Sequence, residues 1–140
     1  MYIPKRKQTV KKLFPIFSVA ESGGGKNLLT LKVEWIGNDL CAWLTGGKAH
    51  IGATALALKD SLESDVLVHE LPGHREGELA KELAFALSNT YHCTTQAIVG
   101  IHYDNASPQM IANLVCYSRD LIQMAVKNGQ EKRRVKIQDN

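Results

Sequence analysis

At 140 residues, 44% of them apolar and 22% charged, the chain has the composition of one soluble domain, and dividing it in two would leave too little core for either half. Its three cysteines, Cys41, Cys93 and Cys116, form no Cys-x-x-Cys pair, which excludes a disulfide framework and a thiolate zinc site. They read as free thiols, none of them a nucleophile. The net charge of +3 belongs to the ends: residues 1–12 hold five bases and no acid, residues 127–140 carry +3, and the body between them −5.

These charges divide the chain into a basic N-terminal arm (1–12), a single domain (13–126) and a basic C-terminal tail (127–140). The arms hold no aromatic residue among their charges beyond Tyr2, so they read as solvated ends rather than nucleic-acid contacts. Leu13 to Ala20 is apolar but too short to span a bilayer, is interrupted by Pro15 and lacks a secretory cleavage pattern. The expected location is the cytoplasm, with no membrane partner.

In chain order, Leu13 to Ala20 reads as a strand, closed by the hinge Glu21-Ser22-Gly23-Gly24-Gly25. From Leu28 to Ile36 the pattern alternates, with Leu29, Leu31, Val33 and Trp35 on one face and Thr30, Lys32 and Glu34 on the other, as in a half-buried strand. Gly37-Asn38-Asp39 is a hairpin turn, Leu40 to Leu44 returns antiparallel, Gly46-Gly47 breaks the run, and Ile51 to Leu58 completes a four-strand meander. Val66 to Leu71 is a short fifth strand ended by Pro72-Gly73.

The period then changes. Leu79, Leu83 and Leu87 recur every four residues within Arg75 to Tyr91, which predicts an amphipathic helix. Thr94 to Tyr103 is a sixth strand. Ser107-Pro108 has the form of a helix start, and an apolar stripe carries the second helix to about Val126, where Asn128-Gly129 stops it. The expected fold is α+β: a mainly antiparallel six-stranded sheet covered by two helices.

Three polar stretches stand where such a fold places its sites. In Gly46-Gly47-Lys48-Ala49-His50-Ile51-Gly52, the glycines let backbone approach a ligand beside His50, or simply make turns. In Pro72-Gly73-His74-Arg75-Glu76, unpaired N–H groups at a helix start would accept an anion, helped by His74 and the guanidinium fork of Arg75. Alternatively Glu76 and Glu78 satisfy the helix dipole and Arg75 faces solvent. In Gly100-Ile101-His102-Tyr103-Asp104-Asn105, Asp104 can orient His102 and Asn105 can offer an amide. Three histidines with Asp104 could ligate a metal, but spacings of 24 and 28 residues fit no compact motif, and no metal is expected. His69 and His92 read as structural or surface residues.

Taken together, the stretches at 46–57, 72–76 and 100–106 resemble the prenylated-flavin chaperone family typified by the D subunit of gallate decarboxylase. The resemblance covers about residues 13–126. It implies a proteasome-assembly-chaperone type of fold and an accessory role for UbiD-type decarboxylases, holding or delivering prenylated FMN, or FMN, made by a flavin prenyltransferase. The cofactor-binding residues it suggests are Gly47, His50, Gly73, His74, Arg75, His102, Asp104 and Asn105. The phosphate is assigned to the Gly73 and His74 backbone with Arg75, and the polar ring edge to His50, His102, Asp104 and Asn105. No residue is assigned a catalytic role. The same residues also suit a small enzyme with His74 or His102 as acid or base, and the fold analogy suits a pure assembly chaperone. A free sheet edge favours a homodimer.

Overall fold

The structure, a computed structural model, describes residues 13–21 and 25–138; the N-terminal arm and most of the glycine hinge lie outside these. Its elements are β1 (Phe17–Ala20), β2 (Asn27–Ile36), β3 (Asp39–Gly47), β4 (Ala53–Ala57), a single 3₁₀ turn (Glu63–Asp65), β5 (Leu67–Glu70), α1 (Gly77–Tyr91), β6 (Thr95–His102) and α2 (Pro108–Gln138). They form one six-stranded sheet in the order β1-β2-β3-β6-β4-β5, covered on one face by both helices. This is the expected α+β class.

The alternation in β2 is realised as read: Leu29, Leu31 and Val33 are buried while Lys32 and Glu34 are exposed. Register then carries the pattern across the sheet. Leu31 pairs with Leu44 and Val33 with Ala42; Ala42 pairs with Ala97 and Leu44 with Val99; Ala97 pairs with Ala55 and Val99 with Ala53. One row of small and branched residues therefore faces the helices, and the alanines of β4 let α1 pack close through Ala80, Leu83, Ala84 and Leu87.

The expected four-strand meander is not what forms. β3 and β4 are not neighbours; β6 lies between them, parallel to β3 and antiparallel to β4. The segment 48–52 is not a tight hairpin turn but a crossing that bonds to β6, through Lys48 N–H to the His102 carbonyl and Gly52 N–H to the Val99 carbonyl (both 2.9 Å). That crossing opens the slot β6 fills.

The second helix also continues beyond its expected end at Val126, through Asn128 and Gly129 to Gln138. Tertiary contact overrides the local stop signal. The Asn128 amide donates to the Tyr91 hydroxyl (3.3 Å), which itself donates to the Ala125 carbonyl (2.9 Å). A Cβ at Gly129 would lie 2.7 Å from both the Tyr91 ring and the Thr90 methyl, so glycine here allows helix contact rather than ending the helix. Phe14, Trp35 and Tyr91 cluster with ring centroids 5.2–6.0 Å apart, and the Lys132 ammonium lies 4.9 Å from the centre of the Phe14 ring.

Candidate functional site

Topology brings the three polar stretches together. β3 and β6 are parallel, so their C-terminal ends lie side by side; β4 runs against β6 and therefore begins at that same end, and β5, antiparallel to β4, finishes there. The 48–52, 71–76 and 103–107 segments thus share one end of the sheet. Backbone bonds fix them to one another: Leu71 N–H donates to the Gly52 carbonyl (2.9 Å), in addition to the two bonds of the 48–52 crossing. The His50 backbone rests directly on the Cα of Gly100, in space a Cβ would need.

The histidines consequently meet. The His50 ring centroid is 4.8 Å from that of His74 and 6.3 Å from that of His102. His50 Nδ1 lies 2.9 Å from the Lys48 carbonyl oxygen, which can only accept, so Nδ1 carries the proton and Nε2 is turned to the other side of the ring. There it lies 3.3 Å from His74 Nδ1 and 3.4 Å from Glu76 Oε1. His102 Nε2 is 3.0 Å from Asp104 Oδ1, while Asp104 Oδ2 accepts from the Lys48 ammonium at 2.6 Å. The hydrogen bond from Lys48 first, and the one from His102 second, hold the Asp104 carboxyl below the usual carboxylate range.

Beside this cluster a cleft of about 310 Å³ opens between the start of α1, the end of β6 and the first turns of α2. Leu79, Ile101, Ile111, Leu114 and Val115 make its apolar walls, and Gly73, His74, Arg75, Glu76 and His102 its polar rim. Of the residues singled out in the sequence, Gly73, His74, Arg75 and His102 line the cleft, and His50 stands behind His74. Among the described residues Gly47, Asp104 and Asn105 are not part of its lining. Gly47 (φ +64°) and Asn105 (φ +55°) occupy left-handed turn positions, and Asp104 links Lys48 to His102.

The helix start is less open than the sequence suggests. His74 N–H donates to the Leu71 carbonyl (3.1 Å), Arg75 N–H to Glu76 Oε2 (3.1 Å), and Gly77 N–H to Glu70 Oε2 (3.0 Å). Sequence reasoning missed Lys48 and Glu76 as site residues and the whole apolar wall from α2. Lys48 was signalled by its place in the first stretch; the wall had no local signal, because its residues are indistinguishable from core along the chain.

Among the described residues no helix is long and apolar enough to cross a membrane. The domain thus carries an apolar cleft rimmed by imidazoles and a guanidinium. Residues 23–130 match the family model described as "Prenylated flavin chaperone LpdD-like domain", and the chain belongs to that family. It is also similar to a chain of the solved structure entitled "Crystal Structure of a Novel Chaperone Complex for Yeast 20S Proteasome Assembly", at 12% identity over 81% of this chain and 97% of that one, with a TM-score of 0.46. None of the curated proteins compared with the chain matches it.

Proposed function

We propose that this chain holds prenylated FMN, or FMN itself, in the cleft and hands it to a UbiD-type decarboxylase, receiving it from a flavin prenyltransferase. The observation that carries this reading is an apolar cleft lined by two of the histidine-bearing segments, with the third packed behind them through His50, in a chain of the prenylated flavin chaperone family. The residues present suit the group: an aromatic ring system needs the apolar walls of Leu79, Ile101 and Leu114, its polar edge needs donors and acceptors such as His102, and a phosphate needs a cation. With the His74 N–H committed to Leu71, the phosphate falls to the Arg75 guanidinium and the neighbouring Gly73 backbone, whose planar and N–H donors match its oxygens. His50 and Asp104 act behind this rim, orienting His74 and His102, and Asn105 sits at the turn beside them. A holder releases its cargo, so the site binds without a strained nucleophile.

A surface for the partner enzyme is the outer edge of β5, where Leu67 and Val68 are exposed; a second copy of the chain would pair along the same edge. Native mass spectrometry of the protein co-expressed with a flavin prenyltransferase tests the reading. The expected result is a retained mass of prenylated FMN in the wild type that is lost in Arg75→Ala. A clean apo mass in both would shift the reading to a chaperone of protein partners alone.

A further inference from the structure

We propose that His50, His74 and Glu76 bind a divalent transition-metal ion, Zn²⁺ being the best match, at the wall of the cleft. Taking one donor atom from each residue, all three lie within 4.8 Å of one another, the one such grouping among the described residues. A tetrahedral ion about 2.0–2.1 Å from its nitrogens sets neighbouring donors about 3.3 Å apart. His50 Nε2 is 3.3 Å from His74 Nδ1 and 3.4 Å from Glu76 Oε1. His74 Nδ1 faces the other oxygen of that carboxylate, Oε2, at 3.8 Å, and with one atom taken from each residue the three donors stay within 4.8 Å, so a rotation of the carboxylate that turns one oxygen to both imidazoles completes the triangle.

The surroundings of these donors are those of ligands rather than of a chance cluster. His50 Nδ1 is fixed on the Lys48 carbonyl, so its Nε2 lone pair is presented to the other two donors, the orienting contact that metal-binding imidazoles use. The Glu76 carboxylate is held by the Arg75 N–H and lies against Gly52, where a Cβ would come within 2.5 Å of it. The donors are only partly exposed, at 26%, 34% and 13% for His50, His74 and Glu76. Two imidazoles and one carboxylate suit Zn²⁺ and its neighbours rather than Mg²⁺ or Ca²⁺, which prefer all-oxygen shells. Three protein ligands leave a coordination position free for water or an oxygen of a ligand, and His74 and Glu76 both line the cleft. The histidines are 24 residues apart in sequence, which is why no linear spacing motif announces the site.

The test uses the untagged full chain, stripped with a chelator and titrated with Zn²⁺ by calorimetry and with Co²⁺ by visible absorption, without flavin, so its outcome is separate from that of the cofactor reading. One ion per chain and a tetrahedral Co²⁺ spectrum are expected. Glu76→Gln and His50→Ala should each weaken binding by about 100-fold or more, and Gly52→Ala should weaken it by displacing Glu76, each with an unchanged far-UV circular dichroism spectrum. His92→Ala, which removes an imidazole paired near Asp60, should bind as the wild type does. No stoichiometric binding in the wild type, or binding that survives in both Glu76→Gln and His50→Ala, would overturn the proposal. Should a variant misfold, X-ray absorption of the Zn²⁺-loaded wild type decides the question: two imidazoles in the ion's shell support the site, and a shell without them contradicts it.

Discussion

Asp104 bonds two residues at once, the Lys48 ammonium at 2.6 Å and His102 Nε2 at 3.0 Å, and so ties the segment after β3 to the end of β6. Both bonds favour its ionised form, and its folded pKa lies below the ordinary value. A depressed carboxylate contributes stability above its unfolded pKa, about 3.9, and that contribution is lost as pH falls through the lower folded value. A ¹³C NMR titration of the Asp104 carboxyl is expected to give a midpoint below about 3.9, moving up in high salt because the pair is exposed. A midpoint at or above the ordinary value would remove the tie.

Gly100 is the floor on which His50 stands. A Cβ there would occupy the place of the His50 carbonyl, and backbone cannot yield as a side-chain tip can. Gly100→Ala should therefore cost about 1–3 kcal/mol in urea denaturation, the range of overpacked cores, and should lower flavin binding by moving His50 and its neighbour His74. Unchanged stability would mean that the crossing segment relaxes freely.

Gly129 reverses the usual sign of a helix substitution. Replacing glycine by alanine inside a helix ordinarily stabilises by about 1 kcal/mol. Here the added methyl meets Thr90 and Tyr91, whose hydroxyl is pinned by Ala125 and Asn128, so Gly129→Ala should lower the melting temperature. Tyr91→Phe, which removes the pinning bond, should cost about 0.5–1.5 kcal/mol and relieve part of the Gly129→Ala penalty in the double variant.

Ile111 separates folding from binding. It lines the cleft yet is 53% exposed, so Ile111→Asp should change stability by no more than about 0.5 kcal/mol while weakening flavin binding about tenfold or more, since a flavin seated in the cleft would cover the carboxylate and leave it unpaired. Equal loss of both would place Ile111 in the core instead.

What the chain reveals locally and what it hides divide along a physical line. The alternation of Leu29 to Trp35 and the four-residue recurrence of Leu79, Leu83 and Leu87 are local periodicities, and the structure carries both. The insertion of β6 between β3 and β4 rests on two long-range pairings, whose partners are 55 positions apart with β3 and 38 to 46 apart with β4, and a Gly-Gly pair reads the same in a hairpin turn as in a crossing. The stop at Asn128-Gly129 failed because Tyr91, distant in sequence, makes those residues fit a helix. For the site, each histidine segment was visible by composition, but their meeting follows from strand order alone. Glu76 was legible only as a charge near a helix start; that it faces two imidazoles depends on the 48–52 crossing.

The central claim is that the cleft between α1, β6 and α2 takes the flavin. An amide chemical-shift map of the ¹⁵N-labelled protein, titrated anaerobically with prenylated FMN and in parallel with FMN, tests it most directly. The account predicts shifts at 47–52, 72–76 and 101–106 and along the first turns of α2, from 110 to 115. An unperturbed spectrum, or shifts confined to the uncovered sheet face around Thr54, Leu67 and Gln96, would contradict it.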